Sequence, residues 1–192
     1  MYNKLKNKIE EDVQRIDNEL WQEIKLKSQL VNIKKNEVLV NFGTRNKNVY
    51  FIASGSFVTS IISIDGDKKG VWFHLDELFN VATCVDSYFS EKTTKYEIKA
   101  LEDSVVIVFN KQTIDDWASN HQLFSFLYHK NLSNDFTIVN EIRAFKLSHT
   151  AEQFLVYLNE NYPSLSNRIS SKNMAHFLGV SPEWYSKLKK KI

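Results

Sequence analysis

Between about residue 29 and residue 110 the chain is a succession of short apolar or alternating runs: VNI, EVLV, VYFIA, SFVTSIISI, GVWF, YEIKA and SVVIVF. Each is broken off by turn residues, and each is rich in the Val, Ile, Phe and Tyr that fit a pleated surface. So many short strands at close spacing bury their apolar faces best as two packed layers, a β-sandwich or roll. Asp65-Gly66 within IISIDGDKKGVWF supplies the positive φ that a tight hairpin needs, and Gly43 and Gly55 fall at two further corners.

On both sides of this region the period becomes helical. Leu5, Ile9, Val13, Ile16, Leu20 and Ile24 recur at spacings of three and four, which predicts one amphipathic helix over residues 4 to 26. From His121 to Lys146, Phe124, Leu127, Tyr128, Leu132, Phe136, Val139, Ile142 and Phe145 form an apolar stripe with no glycine or proline. That predicts a helix of about 25 residues, on the order of 38 Å long. Such a stripe can pack on its own domain or against a second copy, and its length, about twice the ~11–12-residue mean, favours the second copy. Asn131, Asn134 and Asp135 would then lie on the outer face or fix register. A further helix is predicted from Thr150 to Asn161, stopped by Tyr162-Pro163.

The last stretch, ISSKNMAHFLGVSPEWYSKLKKKI over residues 169–192, reads as two short helices hinged at one glycine. Ser171 to Leu178 forms the first, and Gly179 stands where the chain must leave helical geometry. Ser181 is an N-cap and Pro182 sits at the first position of the second helix. Met174, Leu178, Val180, Tyr185 and Leu188 face inward, and Ala175 leaves room for the helices to cross, the pattern of a helix-turn-helix. The outward face of the second helix carries Glu183, Trp184, Ser186, Lys187, Lys189 and Lys190. In a DNA major groove Lys187 would donate to guanine and Glu183 would accept from a cytosine amino group. Lys189, Lys190, Ser170, Lys172 and Ser181 would meet phosphates, and Trp184 belongs to the same face. An αα-hairpin that only packs is the alternative.

Charge is divided in the same sense. From Lys146 onward seven lysines and arginines stand against three glutamates, so this segment carries +4 of a whole-chain net charge of +2. A small basic part suits a polyanionic partner. The charged opening MYNKLKNKIEEDVQRI lacks the apolar core of a signal peptide, and no apolar run approaches the roughly 20 residues that span a bilayer. A cytoplasmic protein without membrane contact is expected. The single cysteine, Cys84, leaves no intramolecular disulfide and too few thiolates for a cysteine-based metal site. Metal-dependent chemistry on a roll needs two or three histidines, and His74 is the only one before residue 121, so neither an enzyme nor a metal site is expected. His74 as a haem ligand and Cys84 as a redox-sensitive thiol are the sensing roles left open.

A roll with glycines at its corners, a long helix and a C-terminal helix-turn-helix together resemble the Crp/Fnr family of transcription regulators. The resemblance is carried by NVYFIASGSFVTSIISIDGDKKGVWF and YEIKALEDSVVIVFNKQTIDDW in the roll and by ISSKNMAHFLGVSPEWYSKLKKK at the end. It implies an α+β fold: a jelly-roll-like, cyclic-nucleotide-binding-domain-like β-roll, joined by a long dimerisation helix to a small all-α helix-turn-helix domain. The corresponding divisions are 1–120, 121–147 and 148–192. It implies further a homodimer joined through the long helix, double-stranded DNA with a near-palindromic operator as partner, RNA polymerase as a second partner, and a ligand in the roll that shifts the two heads.

The departures from the family matter as well. Members that bind cyclic AMP carry Gly-Glu, whose glutamate holds the ribose, and about ten residues on Arg-Ser-Ala, whose arginine neutralises the phosphate. Here Asn80-Val81 and Thr94-Lys95-Tyr96 stand near those places. A lone lysine lacks the arginine fork, so tight cyclic AMP binding is not expected, no cofactor is assigned, and the effector pocket is drawn around Asn80, Val81, Thr94, Lys95 and Tyr96. Many relatives place a β-hairpin wing after the recognition helix, whereas this sequence reaches Ile192 without one. Lower affinity per head is therefore expected. Pro182 and Lys187 replace arginines of the best-known members while Glu183 matches, so the target sequence is not expected to be the family's. The other functional reading is a ligand-sensing or protein-interaction module whose helix-turn-helix does not engage DNA.

Overall fold

The computed structural model describes residues 1–13 and 15–191. Two four-stranded antiparallel sheets face each other. One has the order β1 (Ser28–Ile33), β8 (Ser104–Asn110), β3 (Asn48–Ser54), β6 (Val81–Ala82). The other has the order β2 (Val38–Val40), β7 (Glu97–Ala100), β4 (Ser56–Ile62), β5 (Lys68–Leu75). Ile33, Val40, Ile52, Phe57, Ile98, Ala100 and Val106 meet between the layers, which is what alternating strands with one apolar face require. The β4–β5 connection turns at Gly66 (φ 83°), where Ser63 N–H donates to Asp67 O at 2.8 Å.

The N-terminal helix departs from the expected single rod. α1 (Tyr2–Val13) and α2 (Asn18–Leu26) are separate, because Asp17 caps the second by accepting from Leu20 N–H at 2.8 Å. The apolar period continues across the break because Ile16 is itself buried there. Gln14, within the expected helix, and Ile192 lie outside the described residues.

After a short α3 (Val85–Ser90) and β7–β8 come α4 (Lys111–Asn120) and α5 (Gln122–Ser148), 27 residues without interruption. Only Leu127 and Ile142 of α5 are buried, and residues 131–137 are all exposed, with Asn131, Leu132, Asp135 and Phe136 bordering a cavity beneath the roll. α6 (Ala151–Asn161) opens with a full capping box between Thr150 and Gln153. Pro163 ends α6 but also begins α7 (Pro163–Arg168), a helix the sequence reading did not contain, since proline suits a first helical position. α8 (Ser171–Leu178) and α9 (Pro182–Lys189) follow at the expected places.

The terminal helices share a core with the roll. Val58, Phe73 and Leu75 of the β2-β7-β4-β5 sheet join Ile142, Phe154, Leu158, Met174, Phe177, Tyr185 and Leu188 in one buried cluster. Phe177 meets Phe73 edge-on, with ring centroids 5.4 Å apart, and Lys146 Nζ donates to Phe177 O at 2.7 Å.

Candidate nucleic-acid interface and effector cavity

The helix pair is built as its capping residues dictate. Ser170 caps α8, its hydroxyl accepting from Asn173 N–H at 3.4 Å, and Ser181 caps α9 by accepting from Trp184 N–H at 3.1 Å. Between them Gly179 takes φ 78°, and its N–H donates to Ala175 O at 2.9 Å, closing α8 without a side chain to strain. Met174, Ala175, Tyr185 and Leu188 are each 1% exposed or less. With α9 fixed by that inner face, Glu183, Trp184, Ser186, Lys187, Lys189 and Lys190 are all exposed. Ser170, Lys172 and Ser181 are exposed too, at the starts of the two helices. The eight residues picked out from the sequence thus lie on α8, α9 and their caps, and the hydroxyls of Ser170 and Ser181 also serve as caps. Trp184, 49% exposed, adds an apolar plane to the cationic surface.

The residues near the expected effector pocket are placed in two groups. Asn80, Val81 and Tyr96 line a cavity of about 810 Å³ between the roll and α5. Thr94 and Lys95 do not line it. Thr94 is buried, its hydroxyl donates to Asp86 Oδ1 at 2.8 Å, and Lys95 N–H donates to Asp86 Oδ2 at 2.8 Å. Ser87 N–H adds a third bond to Asp86 Oδ1, also at 2.8 Å. A carboxylate from the first turn of α3 is therefore clasped by the pair that stands near the family's Arg-Ser. Asp86 carried no signal in the sequence, because its partners lie eight and nine residues away in a loop.

His74 is buried against the same cavity. Its Nδ1 lies 3.2 Å from Phe79 O, an acceptor only, so Nδ1–H donates there. Nε2 then accepts from the Thr59 hydroxyl at 3.0 Å. Burial pushes its pKa down to about 4, keeping the ring neutral. With both nitrogens engaged, His74 presents no lone pair to a haem iron. The Cys84 thiol is buried and pushed up to about 11 by desolvation, the opposite of a reactive thiolate. Among the described residues no cluster of three or more His, Cys, Asp or Glu is arranged to hold a metal ion.

Residues 30–121 match the family described as the cyclic nucleotide-binding domain. FixK2 from Bradyrhizobium japonicum has the same fold at 15% identity, over 85% of this chain and 83% of that one, with a TM-score of 0.68. The regulator CLP of Xanthomonas campestris, described as responsive to c-di-GMP, matches at 12% identity over 91% of each chain, also at 0.68. A protein of Eubacterium rectale assigned to the Crp/Fnr family matches at 14% identity over 92% and 83%, with a TM-score of 0.67. No curated protein matches by sequence. Residues 30–121 are thus similar to that domain, and the chain continues as a long helix and two short helices joined at Gly179. Its fold is that of the Crp/Fnr transcription regulators. Among the described residues no helix is long and apolar enough to cross a membrane.

Proposed function

We propose that the chain is a homodimeric, DNA-binding transcription regulator of Crp/Fnr type, divided into a sensor roll (1–120), a dimerisation helix (121–147) and a DNA-binding head (148–192). The observation that carries this reading is the α9 ridge. Lys187, Lys189 and Lys190 project from a helix whose opposite face is anchored by Tyr185 and Leu188. Dimerisation is supported by α5, where Leu132, Phe136 and Val139 are 39%, 73% and 42% exposed at spacings of four and three on one face. A two-fold pair would set its recognition helices about 34 Å apart, for half-sites one helical turn apart.

Control by cyclic AMP is not part of the reading. The Asp86 carboxylate accepts from Thr94 and Lys95, near where a cyclic phosphate would need donors. Trp184 supports a second reading, a protein-contact surface, since exposed tryptophan favours interfaces. Salt separates the two. For DNA, log affinity falls linearly with log salt; Lys189→Ala reduces the slope by about 1, as a phosphate contact, and Lys187→Ala costs about 1–3 kcal/mol and relaxes specificity at the base it reads. Fluorescence anisotropy with fragments recovered by genome-wide occupancy mapping measures this. Binding that ignores salt and both substitutions would sink the DNA reading.

A further inference from the structure

We propose that Arg168 is a positioning residue for DNA recognition: by pinning the entry of α8 to the roll, it fixes the direction of α9 and with it the half-site spacing that the dimer accepts. The proposal rests on the DNA-binding reading and names what sets its geometry.

α8 is attached to the roll at two separated places. At its C-terminal end Phe177 packs against Phe73 and Trp72 of β5, with ring centroids 5.4 and 6.2 Å away, and against Phe154 at 6.0 Å. At its other end, two residues before the Ser170 cap, Arg168 reaches the roll. Its Nη1 donates to Asp76 Oδ1 at 2.6 Å and to Glu77 Oε1 at 3.2 Å, and its Nη2 to Glu102 Oε1 at 2.6 Å. α8 has 8 residues, about 12 Å of helix, so the two attachments bracket it.

The attachments differ in kind. Apolar burial is non-directional and lets a ring turn in its seat. A planar guanidinium spanning carboxylates on two corners of the roll is directional. Phe177 alone leaves α8 a pivot, and Arg168 removes it. α9 follows α8 because Met174, Ala175, Tyr185 and Leu188 form a buried seam between them. Both terminal nitrogens of Arg168 are engaged with the roll, so the residue acts through α8 rather than on DNA.

The roll is built to receive this pin. Lys4 Nζ holds Asp76 from the other side at 2.6 Å, and the Ser56 hydroxyl donates to Glu102 Oε1 at 2.7 Å. In the loop that carries Asp76 and Glu77, Phe79 takes φ 55°, a left-handed conformation uncommon outside glycine. Its ring lies against Trp72 and against Tyr162 at the start of α7, with centroids 4.9 and 5.7 Å away. One short loop thus grips α7 by charge at one end and by an aromatic contact at the other.

Adding one base pair between half-sites moves them apart by about 3.4 Å and turns one against the other by roughly 35°. A pinned head cannot follow, whereas a head that pivots at Phe177 follows in part.

The test titrates the full chain against an operator fragment recovered by occupancy mapping, and against two copies with one base pair added or removed midway between the half-sites. The wild type is expected to bind each altered fragment about tenfold or more weakly. Arg168→Gln removes a positive charge and Glu102→Ala a negative one, yet both are expected to cut that penalty to about threefold or less. No simple charge effect moves two opposite changes the same way. Urea midpoints establish that the variants are folded, and if Arg168→Gln is not, Glu102→Ala decides. A penalty unchanged in the folded variants, an equal loss of affinity at all three spacings, or a wild type indifferent to spacing overturns the proposal. A wild type that binds no recovered fragment takes the regulator reading down with it, whereas binding with an unchanged penalty strikes the positioning role alone.

Discussion

Arg168 donates from Nη1 to Oδ1 of Asp76 at 2.6 Å, across 92 residues of sequence. The same guanidinium reaches Glu102 Oε1 at 2.6 Å and Glu77 Oε1 at 3.2 Å, and Lys4 Nζ meets the other oxygen of Asp76 at 2.6 Å. One side chain at the end of α7 thus ties the terminal helices to two corners of the roll, and through Asp76 to α1.

Removing it leaves Asp76 and Glu102 without their shared cation in a part-buried setting. Arg168→Ala is expected to lower stability by about 1–2 kcal/mol, discounted for partial exposure. Arg168→Lys recovers only part, because an ammonium cannot span the carboxylates as a planar fork does. Urea unfolding midpoints of the three proteins measure the effect. Equal midpoints would mean the cluster is only a surface decoration.

Gly55 and Gly43 make a paired comparison. At Gly55, φ is 102° and an added Cβ would lie 2.0 Å from Ser104 Oγ and 2.9 Å from its Cα. Backbone and side chain both collide, so Gly55→Ala is expected to cost about 3 kcal/mol or more, with much of the protein recovered as aggregate. At Gly43, φ is 73° with nothing within 4 Å, so Gly43→Ala costs only about 1–2 kcal/mol in conformational strain. Thermal midpoints distinguish the two.

The His74 ring gives stability an acid limb. Its folded pKa of about 4 lies below the ordinary 6.5, so between these values the unfolded chain binds a proton that the native one refuses. The contribution, up to about 3 kcal/mol, is present above pH 6.5 and is lost as the pH falls toward 4. His74→Gln should flatten that part of the curve in urea titrations across this range. An unchanged slope would remove His74 from the account.

The exposed centre of α5 predicts an assembly defect without a folding defect. Phe136→Glu places a charge on a side chain that is 73% exposed in the single chain, so monomer folding should be untouched. Across a paired interface it would weaken association by roughly 100-fold, the size of a central apolar hot spot. Sedimentation over a concentration series checks it, and identical behaviour of the two proteins would rule out this stripe as the seam.

The parts legible from sequence are those set by near neighbours. Short apolar and alternating runs mark every strand except the two-residue β6, and the unbroken stripe from Phe124 to Phe145 marks α5 to within two residues at its C-terminal end. Gly179, Ser181 and Pro182 placed α8 and α9 because caps and turns are local chemistry. Two local signals carry a second meaning that the apolar period hides. Asp17 is a cap inside a continuous apolar period, and Pro163 both stops α6 and starts α7. The remainder depends on distance along the chain. Asp86 closing on Thr94 and Lys95, and Arg168 on Asp76 and Glu102, both follow from how the layers stack. No pattern within a window of sequence carries that information.

α5 is at once a wall of the cavity from Leu127 to Val139, an apolar face 73% exposed at Phe136, and a support of the terminal helices at Ile142 and Lys146. From Leu127 to Lys146 is about 28 Å of continuous helix at ~1.5 Å per residue. A stiff shaft of that length converts a tilt of about 5° at its cavity end into an excursion of roughly 2.5 Å at the far end. A tilt imposed at the hollow would therefore reach the terminal helices by leverage, working against the core that Val58, Phe73 and Leu75 of the roll share with them.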